Sequence, residues 1–465
     1  MKVSLVFPNT FLAYPATRTH QPLALAYLAS ALVKGGYFVQ VIDATAERIG
    51  EEKVARLIRA FGSALIGITT NVGMASQAIT LARYLKKTCP GRKIVMGGPW
   101  ATIKHRVIVA SGTADIVVRR EGEITMVELA DALDDHGDLA RVDGITYKND
   151  AGEIITTPDR PPIDDLNALP FPAWDLFPPS TKYRFLHRAS PFFPVMTSRG
   201  CPFDCIHCTK AVHGYKFRPR SVENVIAELR YLKEKFNARE IFIIDDIFNN
   251  DVARAERILD EIIKNDLRFH IKFSNGIRAD KLPERLVKKL KRAGTYTVML
   301  GIESGNQGIV NSIGKGLNLE KVRIAARLLK KEGIITGGFF MLGHPQDSKT
   351  TMLETIAFAK RLDLDYPIFF KAVPFPGTKM HDMVLKKGKL VSINPQRVAD
   401  KYTLKQAIFE MEGFTARDVE TAFTLAYRLF YLRPRKIVQL IGQFRSLTEF
   451  AWVIDTILKV FIKNL

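Results

Sequence analysis

The stretch "SRGCPFDCIHCTK", residues 198–210, decides how the rest of this chain is read. It gathers three of the chain's four cysteines, Cys201, Cys205 and Cys208, into eight residues. A disulfide would use two of these thiols and strand the third. The spacing is Cys-x3-Cys-x2-Cys, and a loop of that length can turn three thiolates toward one centre. Soft thiolates so close together suit zinc or an iron–sulfur cluster. Structural zinc takes four ligands, and His207 or His213 could supply the fourth. A 4Fe–4S cluster on three cysteines leaves one iron open to a small molecule.

Outward from the cysteines, the pattern is strand–helix alternation. Just before them lies the strand candidate "FPVMTS"; after them come "REIFIID", "FHIKFSN", "TYTVML", "IITGGFF" and "DYPIFFKAV". Helical stretches such as "SVENVIAELRYLKEKF" separate these runs. Six βα units are too few for a closed eight-fold barrel, so residues 191–400 are expected to form a partial, open one. Residues 1–140 alternate in the same way, with runs "KVSLVF", "YFVQVID", "ALIGITT", "KIVMGG" and "ADIVV". Pro22 stands near a helix start, and Gly35-Gly36 and Pro90-Gly91 stand at helix ends. This predicts an α/β, doubly wound, flavodoxin-like domain whose ligands sit outside the carboxyl ends of its strands. Between the two units, 141–190 contains "TTPDRPPIDDLNALPFPAWDLFPPS", which reads as an extended linker. Residues 401–465 leave the βα pattern for helices with broad apolar faces.

Composition bounds the class. Of 465 residues, 47% are hydrophobic and 25% charged, which is ordinary for a globular chain. Four cysteines make no disulfide framework and fit a reducing, cytoplasmic setting. The N-terminus reads as a first strand, not as a signal peptide. No apolar run reaches the ~18 residues of a membrane span. The net charge of +20 fits an anionic membrane surface, an anionic substrate or a solvated basic face. The basic residues are dispersed along the chain, which argues against a nucleic acid partner.

The cysteine spacing, on the first loop of a βα barrel, strongly resembles the radical S-adenosylmethionine superfamily. The resemblance implies a 4Fe–4S cluster on Cys201, Cys205 and Cys208 whose open iron binds S-adenosylmethionine. It also implies an external reductant, such as flavodoxin or ferredoxin. Further motifs follow in order at successive strand ends. Asp245 and Asp246 match the position that hydrogen-bonds the methionine ammonium, although an Asx-type helix cap is the plainer reading. Ser274, Asn275 and Arg278 match residues that bond ribose hydroxyls and the carboxylate. Glu303, flanked by Gly301 and Gly305, matches a ribose acceptor. His207 stands where the family often has an aromatic residue near adenine. "FFMLGHPQDS" and "AVPFPGTKM" complete the series.

The first unit resembles the cobalamin-binding domain that precedes many such barrels, through "PLALAYLASALVKGGYFVQVIDA", "IGITT", "VMGGPWAT" and "EGE". By that resemblance Gly97 and Gly98 let the backbone approach the nucleotide tail, Thr69 and Thr70 offer hydroxyls, and Asp43 ends the second strand. The plainer reading is that these residues make tight βα turns. No Asp-x-His-x-x-Gly motif is present, and the nearby His20 is a lone loop histidine, so either cobalt lacks a lower protein ligand, the favoured expectation, or cobalamin binding has been lost.

Over nearly its whole length the chain is similar to cobalamin-dependent enzymes of this superfamily. It is most similar to those modifying lipids, hopanoids and tetrapyrroles, including the anaerobic magnesium-protoporphyrin ester cyclase. That implies a 5′-deoxyadenosyl radical used to methylate an unactivated carbon of a small hydrophobic substrate. Radical oxidation, cyclisation or carbon–carbon coupling, and a non-catalytic cobalamin or iron–sulfur sensor, are the alternatives. No catalytic acid or base is identified. In the C-terminal helices, Arg433, Arg435, Lys436, Arg445, Lys459 and Lys463 interleave with Phe444, Phe450, Trp452 and Phe461. This suits a greasy substrate or peripheral membrane contact, or else helices that cap the barrel.

Overall fold

The computed structural model describes residues 1–10, 20–183, 187–391, 406–434 and 436. The chain divides into two compact units, one of Met1–Pro202, Lys210–Phe248 and Ala253–Lys272, the other of Phe203–Thr209, Asn249–Val252 and Phe273–Leu465.

The first unit opens with strands β1 (Lys2–Phe7), β2 (Phe38–Asp43), β3 (Leu65–Thr69), β4 (Lys93–Gly97) and β5 (Ile116–Val118). They pair in parallel in the order β2-β1-β3-β4-β5. That is the expected flavodoxin-like winding, with its switch point between β1 and β3. The cause is visible in the burial: β3 buries residues 65–68 and β4 buries Ile94, Val95 and Met96 in succession, as strands covered on both faces must. Helix Leu23–Lys34 starts after Pro22, buries Leu23, Leu25, Ala26, Ala29 and Leu32, and stops at Gly35-Gly36. Gly36 takes φ +88°, which a β-carbon would disfavour.

The sheet does not end near residue 140. β6 (Ile145–Lys148) and β7 (Ile154–Thr156) add to it as an antiparallel hairpin, so the stretch expected to be all linker begins inside the sheet. The turn closes through Gly152 N–H to Asn149 O and Asn149 N–H to Glu153 O. An antiparallel strand needs only such a short turn, which the βαβ period does not announce.

The same unit holds β8 (Phe192–Val195), the short antiparallel pair β9 (Ser198–Arg199) and β10 (Arg218–Pro219), and β11 (Glu240–Ile243). β8 and β11 pair in parallel across helix Val222–Phe236. The second unit carries β13 (Thr295–Glu303), β14 (Ile335–Leu342) and β15 (Tyr366–Lys371), again parallel. With β12 (His270–Ile277), inside which the two units divide, the second sheet has six strands in the order β15-β14-β13-β12-β11-β8. These are the six strands the sequence predicts, taken in chain order.

Helix Ala416–Tyr431 lies further along in the second unit. Thr415 and Asp418 form a reciprocal capping box at its start. Its buried face is Val419, Ala422, Ala426 and Phe430, and its Tyr431 hydroxyl donates to Pro367 O of β15 at 2.9 Å. This first C-terminal helix therefore caps strands. The stretches "RKIVQLIGQFRS" and "LTEFAWVIDTILKVFIKNL" lie, apart from Lys436, outside the described residues.

Candidate functional site

The cysteine loop is strung between the two legs of the β9–β10 hairpin, where Arg199 faces Arg218 and Ser198 faces Pro219. Gly200 opens the loop at φ +80°, and a β-carbon there would stand 2.1 Å from Lys216 O. Only glycine fits. In the second unit Ile206 N–H donates to Ile313 O at 3.0 Å, and Gly314 lies so close to the loop that its β-carbon would come within 2.6 Å of Asp204 O. Cys201 and Cys205 are half-buried, Cys208 is exposed, and none of the three forms a disulfide. Among the described residues no three His, Cys, Asp or Glu side chains are gathered closely enough to hold one metal ion. The fit to a 4Fe–4S cluster rests on the donor set, three unbridged thiols on one short loop, and on the cation beside it. That cation is Lys315, held protonated by Glu303, Cys205 and Cys208 against a burial that would lower its pKa. The fourth cysteine, Cys89, is buried at the end of helix Ala75–Thr88.

Lys315 Nζ bonds Glu303 Oε1 at 2.8 Å, and both side chains are only 12% exposed. Burial alone would raise the Glu303 pKa, but Lys315, His207 and His344 hold it down to about 2. Glu303 adopts φ +71°, at a register shift in the β13–β14 pairing, a strained conformation that places its carboxylate at the strand end. Gly301 makes room, since a β-carbon there would meet Lys315 Nζ at 3.2 Å. His344, after β14, is fully buried with both ring nitrogens lacking a hydrogen-bond partner. Its ring centroid lies 5.7 Å from that of His207, and burial pushes its pKa down to about 4. The second unit thus gathers His207, Glu303, Lys315 and His344 beside two of the cysteines. Lys315 and His344 were not legible as site residues; the only signal for Lys315 is its position between Gly314 and Gly316, both at positive φ.

The other expected residues fall into two groups. Ser274 keeps a buried hydroxyl with no partner, available to a ligand. Arg278 is committed to the protein instead: it donates to Lys315 O at 2.8 Å and Gly316 O at 2.9 Å, pairs with Asp280, and stacks 3.6 Å over the Phe203 ring. It shapes the Lys315 turn and the cysteine loop from outside. In the first unit, the buried Asp245 accepts from Thr197 N–H, the Thr197 hydroxyl and the Ser198 hydroxyl, each at 2.6 Å. Asp246 accepts from Gly200 N–H and bonds His213 Nδ1, both at 2.8 Å. Both aspartates fasten the turn that leads into Cys201.

At the carboxyl ends of β3 and β4, Thr69, Thr70, Gly97 and Gly98 come together. Thr70 N–H donates to Gly97 O at 2.8 Å. Gly98 takes φ +94°, and its β-carbon would lie 2.5 Å from Thr70 O, so the two turns press backbone to backbone. Gly97 and Gly98 put no side chain over this end of the sheet, which is compatible with the approach of a cobalamin. Asp43 stands apart, beyond β1. It caps the short helix that follows it, faces the buried Tyr183 hydroxyl, and is raised by burial to about 6. His20 contacts Gln21 O through Nδ1 at 2.8 Å.

This geometry defines a class: a βα sheet carrying a three-thiol loop, preceded by a doubly wound sheet with a bare backbone cradle. Comparison with known proteins agrees. Residues 195–359 match the radical SAM superfamily and residues 11–130 the B12 binding domain. An uncharacterized methyltransferase of Pyrococcus horikoshii is 35% identical over 94% of each chain. The anaerobic magnesium-protoporphyrin IX monomethyl ester cyclase of Rubrivivax gelatinosus is 25% identical over 93% of this chain and 78% of its own. The structure of the radical S-adenosylmethionine methyltransferase TsrM from Kitasatospora setae, with cobalamin and a 4Fe–4S cluster bound, superposes with a TM-score of 0.69 at 20% identity, covering 83% of this chain and 74% of that one. The chain belongs to the radical S-adenosylmethionine enzymes that carry an N-terminal cobalamin-binding domain, and its cofactors are those of the family: a 4Fe–4S cluster, S-adenosylmethionine and cobalamin. Such enzymes act on a small-molecule substrate and draw on an external reductant. No helix among the described residues is long and apolar enough to cross a membrane.

Proposed function

We propose that the chain methylates an unactivated carbon of a small hydrophobic substrate. The observation that carries the reading is the presence, in one chain, of the three-thiol loop beside Lys315 and the bare cradle at Gly97-Gly98. When bound, the cluster with S-adenosylmethionine supplies a 5′-deoxyadenosyl radical, and cobalamin supplies a transferable methyl group. The protein's own part is placement. Cys201, Cys205 and Cys208 would hold the cluster, and Lys315 would offset part of its negative charge. Glu303, ionised and strained into position, would accept from ribose hydroxyls, and Ser274 and His344 would offer further polar contacts where water is excluded. Flavodoxin or ferredoxin is the proposed electron donor. The greasy, basic C-terminus is proposed to meet the substrate, or the membrane surface that holds it.

The test is anaerobic incubation with dithionite, hydroxocobalamin, a lipid extract and S-adenosylmethionine bearing a deuterated methyl group. Mass spectrometry should find one deuterated methyl gained by an apolar compound. Formation of 5′-deoxyadenosine with an altered substrate but no methyl gain would establish oxidation or cyclisation instead, the reading that the cyclase relative favours.

A further inference from the structure

The cysteine loop is clamped to the ligand-binding end of the first sheet by a buried ion cluster within the first unit. Glu121 takes a two-pronged bond from Arg218, at 2.8 and 2.9 Å, and a third from Arg199 at 3.0 Å. Arg199 also donates to Glu123 at 2.6 Å. All four side chains are under 10% exposed. Arg199 and Arg218 are cross-strand partners on the two legs that carry the cysteines, so one carboxylate holds both ends of the loop. Glu121 also accepts from Ile163 N–H at 2.8 Å, and the Arg199 guanidinium lies 5.3 Å from the Tyr27 ring centroid. A buried bidentate pair of this kind fixes geometry in a way that a surface pair does not.

On its other side the clamp joins the cradle. Glu121 lies in the turn between β5 and helix Glu123–Asp134, at the carboxyl end of the sheet. The residue before it, Arg120, sits at φ +61° and donates its N–H to the Thr102 hydroxyl at 3.0 Å. Thr102 N–H in turn donates to Gly98 O at 2.9 Å. A continuous run of three hydrogen bonds and one peptide link therefore leads from Gly98 through Thr102, Arg120 and Glu121 to Arg199, two residues before Cys201.

We propose that Glu121 is a positioning residue that couples the two cofactor sites, so that occupancy of the Gly98 cradle by cobalamin and closure of the cysteine loop on its cluster strengthen each other. This rests on the cofactor assignment above. Coupling of this kind is reciprocal, and it typically amounts to about 5–150-fold in affinity.

The experiment measures hydroxocobalamin affinity by anaerobic absorbance titration, with and without the reconstituted cluster. Wild type should bind about 5-fold or more tightly when the cluster is present. Glu121→Gln should bind cobalamin as the cluster-free wild type does, and cluster loading should change that by less than about 2-fold. Electron paramagnetic resonance of the reduced cluster supplies a second readout: cobalamin should alter its line shape in wild type and not in Glu121→Gln. Glu228→Gln breaks another buried ion pair, with Arg220, that does not touch Glu121, and it should keep the wild-type gain. If Glu121→Gln fails to fold or to take up iron, Glu123→Gln decides, since it removes one Arg199 bond and leaves the Arg218 fork. A reduced gain supports the proposal, and an unchanged gain overturns it. A wild type that binds both groups with no mutual effect overturns the coupling alone. Failure to bind hydroxocobalamin under any condition overturns the cofactor assignment beneath it.

Discussion

Two buried side chains of the second unit, His344 and Glu303, both resist protonation, in two pH windows that can be read separately. The unfolded chain's imidazole titrates near 6.5, whereas folded His344 refuses a proton until about 4. Between those values the unfolded state binds more protons, so stability is full above ~6.5 and is lost as pH falls toward ~4. A shift of this size corresponds to about 3 kcal/mol. Glu303 works one window lower: its carboxyl is depressed from 4.5 to about 2, so its contribution is full above 4.5 and is lost as pH falls toward 2. Urea unfolding of the cluster-free protein across this range should show both losses. His344→Gln should remove the upper one and keep the lower, narrowed because one of the groups that hold the Glu303 carboxyl down is gone. An unchanged pH profile in that variant would show that another group sets the upper window. The cysteines make a second prediction at this scale. Replacing Cys201, Cys205 or Cys208 with Ala should abolish uptake of about four irons per chain, the complement of one such cluster. Cys89→Ala should retain it, since Cys89 is 2% exposed at a helix end in the first unit.

Among the elements, the β9–β10 hairpin bears most of the chemistry on the fewest residues. Gly200 is its weak point, because an alanine there needs both a positive φ and the displacement of Lys216 O. Gly200→Ala should lose the cluster while hydroxocobalamin still binds the first sheet; iron analysis and absorbance titration check this. Loss of both would mean that the turn supports the whole first unit. Element legibility followed period. The parallel strands were readable because each is a β-branched run set apart by an amphipathic helix. The β6–β7 hairpin was not, because its strands are three and four residues long beside a proline-rich stretch. Asp245, Asp246 and Arg278 were readable as strand-end polar residues, but their partners were not. Thr197, Ser198, Gly200, Lys315 and Gly316 are brought to them by the fold, and sequence order carries no trace of that pairing. Glu121 and Glu123 were visible only as part of a family-like "EGE". Their role needed Arg199 and Arg218, at least 76 residues away in the chain.

At the scale of the whole molecule, the question is what the apolar C-terminal segment adds beyond helix Ala416–Tyr431. That helix packs its own apolar face inward, and Lys436 beyond it is buried with its ammonium 2.6 Å from Leu364 O. The capping function is thus in place by residue 436. The remaining residues, 437–465, include Phe444, Phe450, Trp452 and Phe461 among Arg445, Lys459 and Lys463. An aromatic and cationic mixture of this kind gains about 1 kcal/mol per basic residue near an anionic bilayer, and more from each apolar side chain it inserts. Deleting 437–465 should therefore leave the thermal midpoint within a few degrees of the full chain. Iron content and S-adenosylmethionine cleavage should also be retained. Co-sedimentation with phosphatidylserine-containing vesicles, or turnover of the apolar substrate, should fall about tenfold or more, the effect of losing roughly 1.4 kcal/mol of docking energy. A truncated protein that unfolds or loses its cluster would make the segment part of the cap. One that stays folded with vesicle binding and turnover unchanged would leave the basic charge as a solvated surface and remove the C-terminus from substrate recognition.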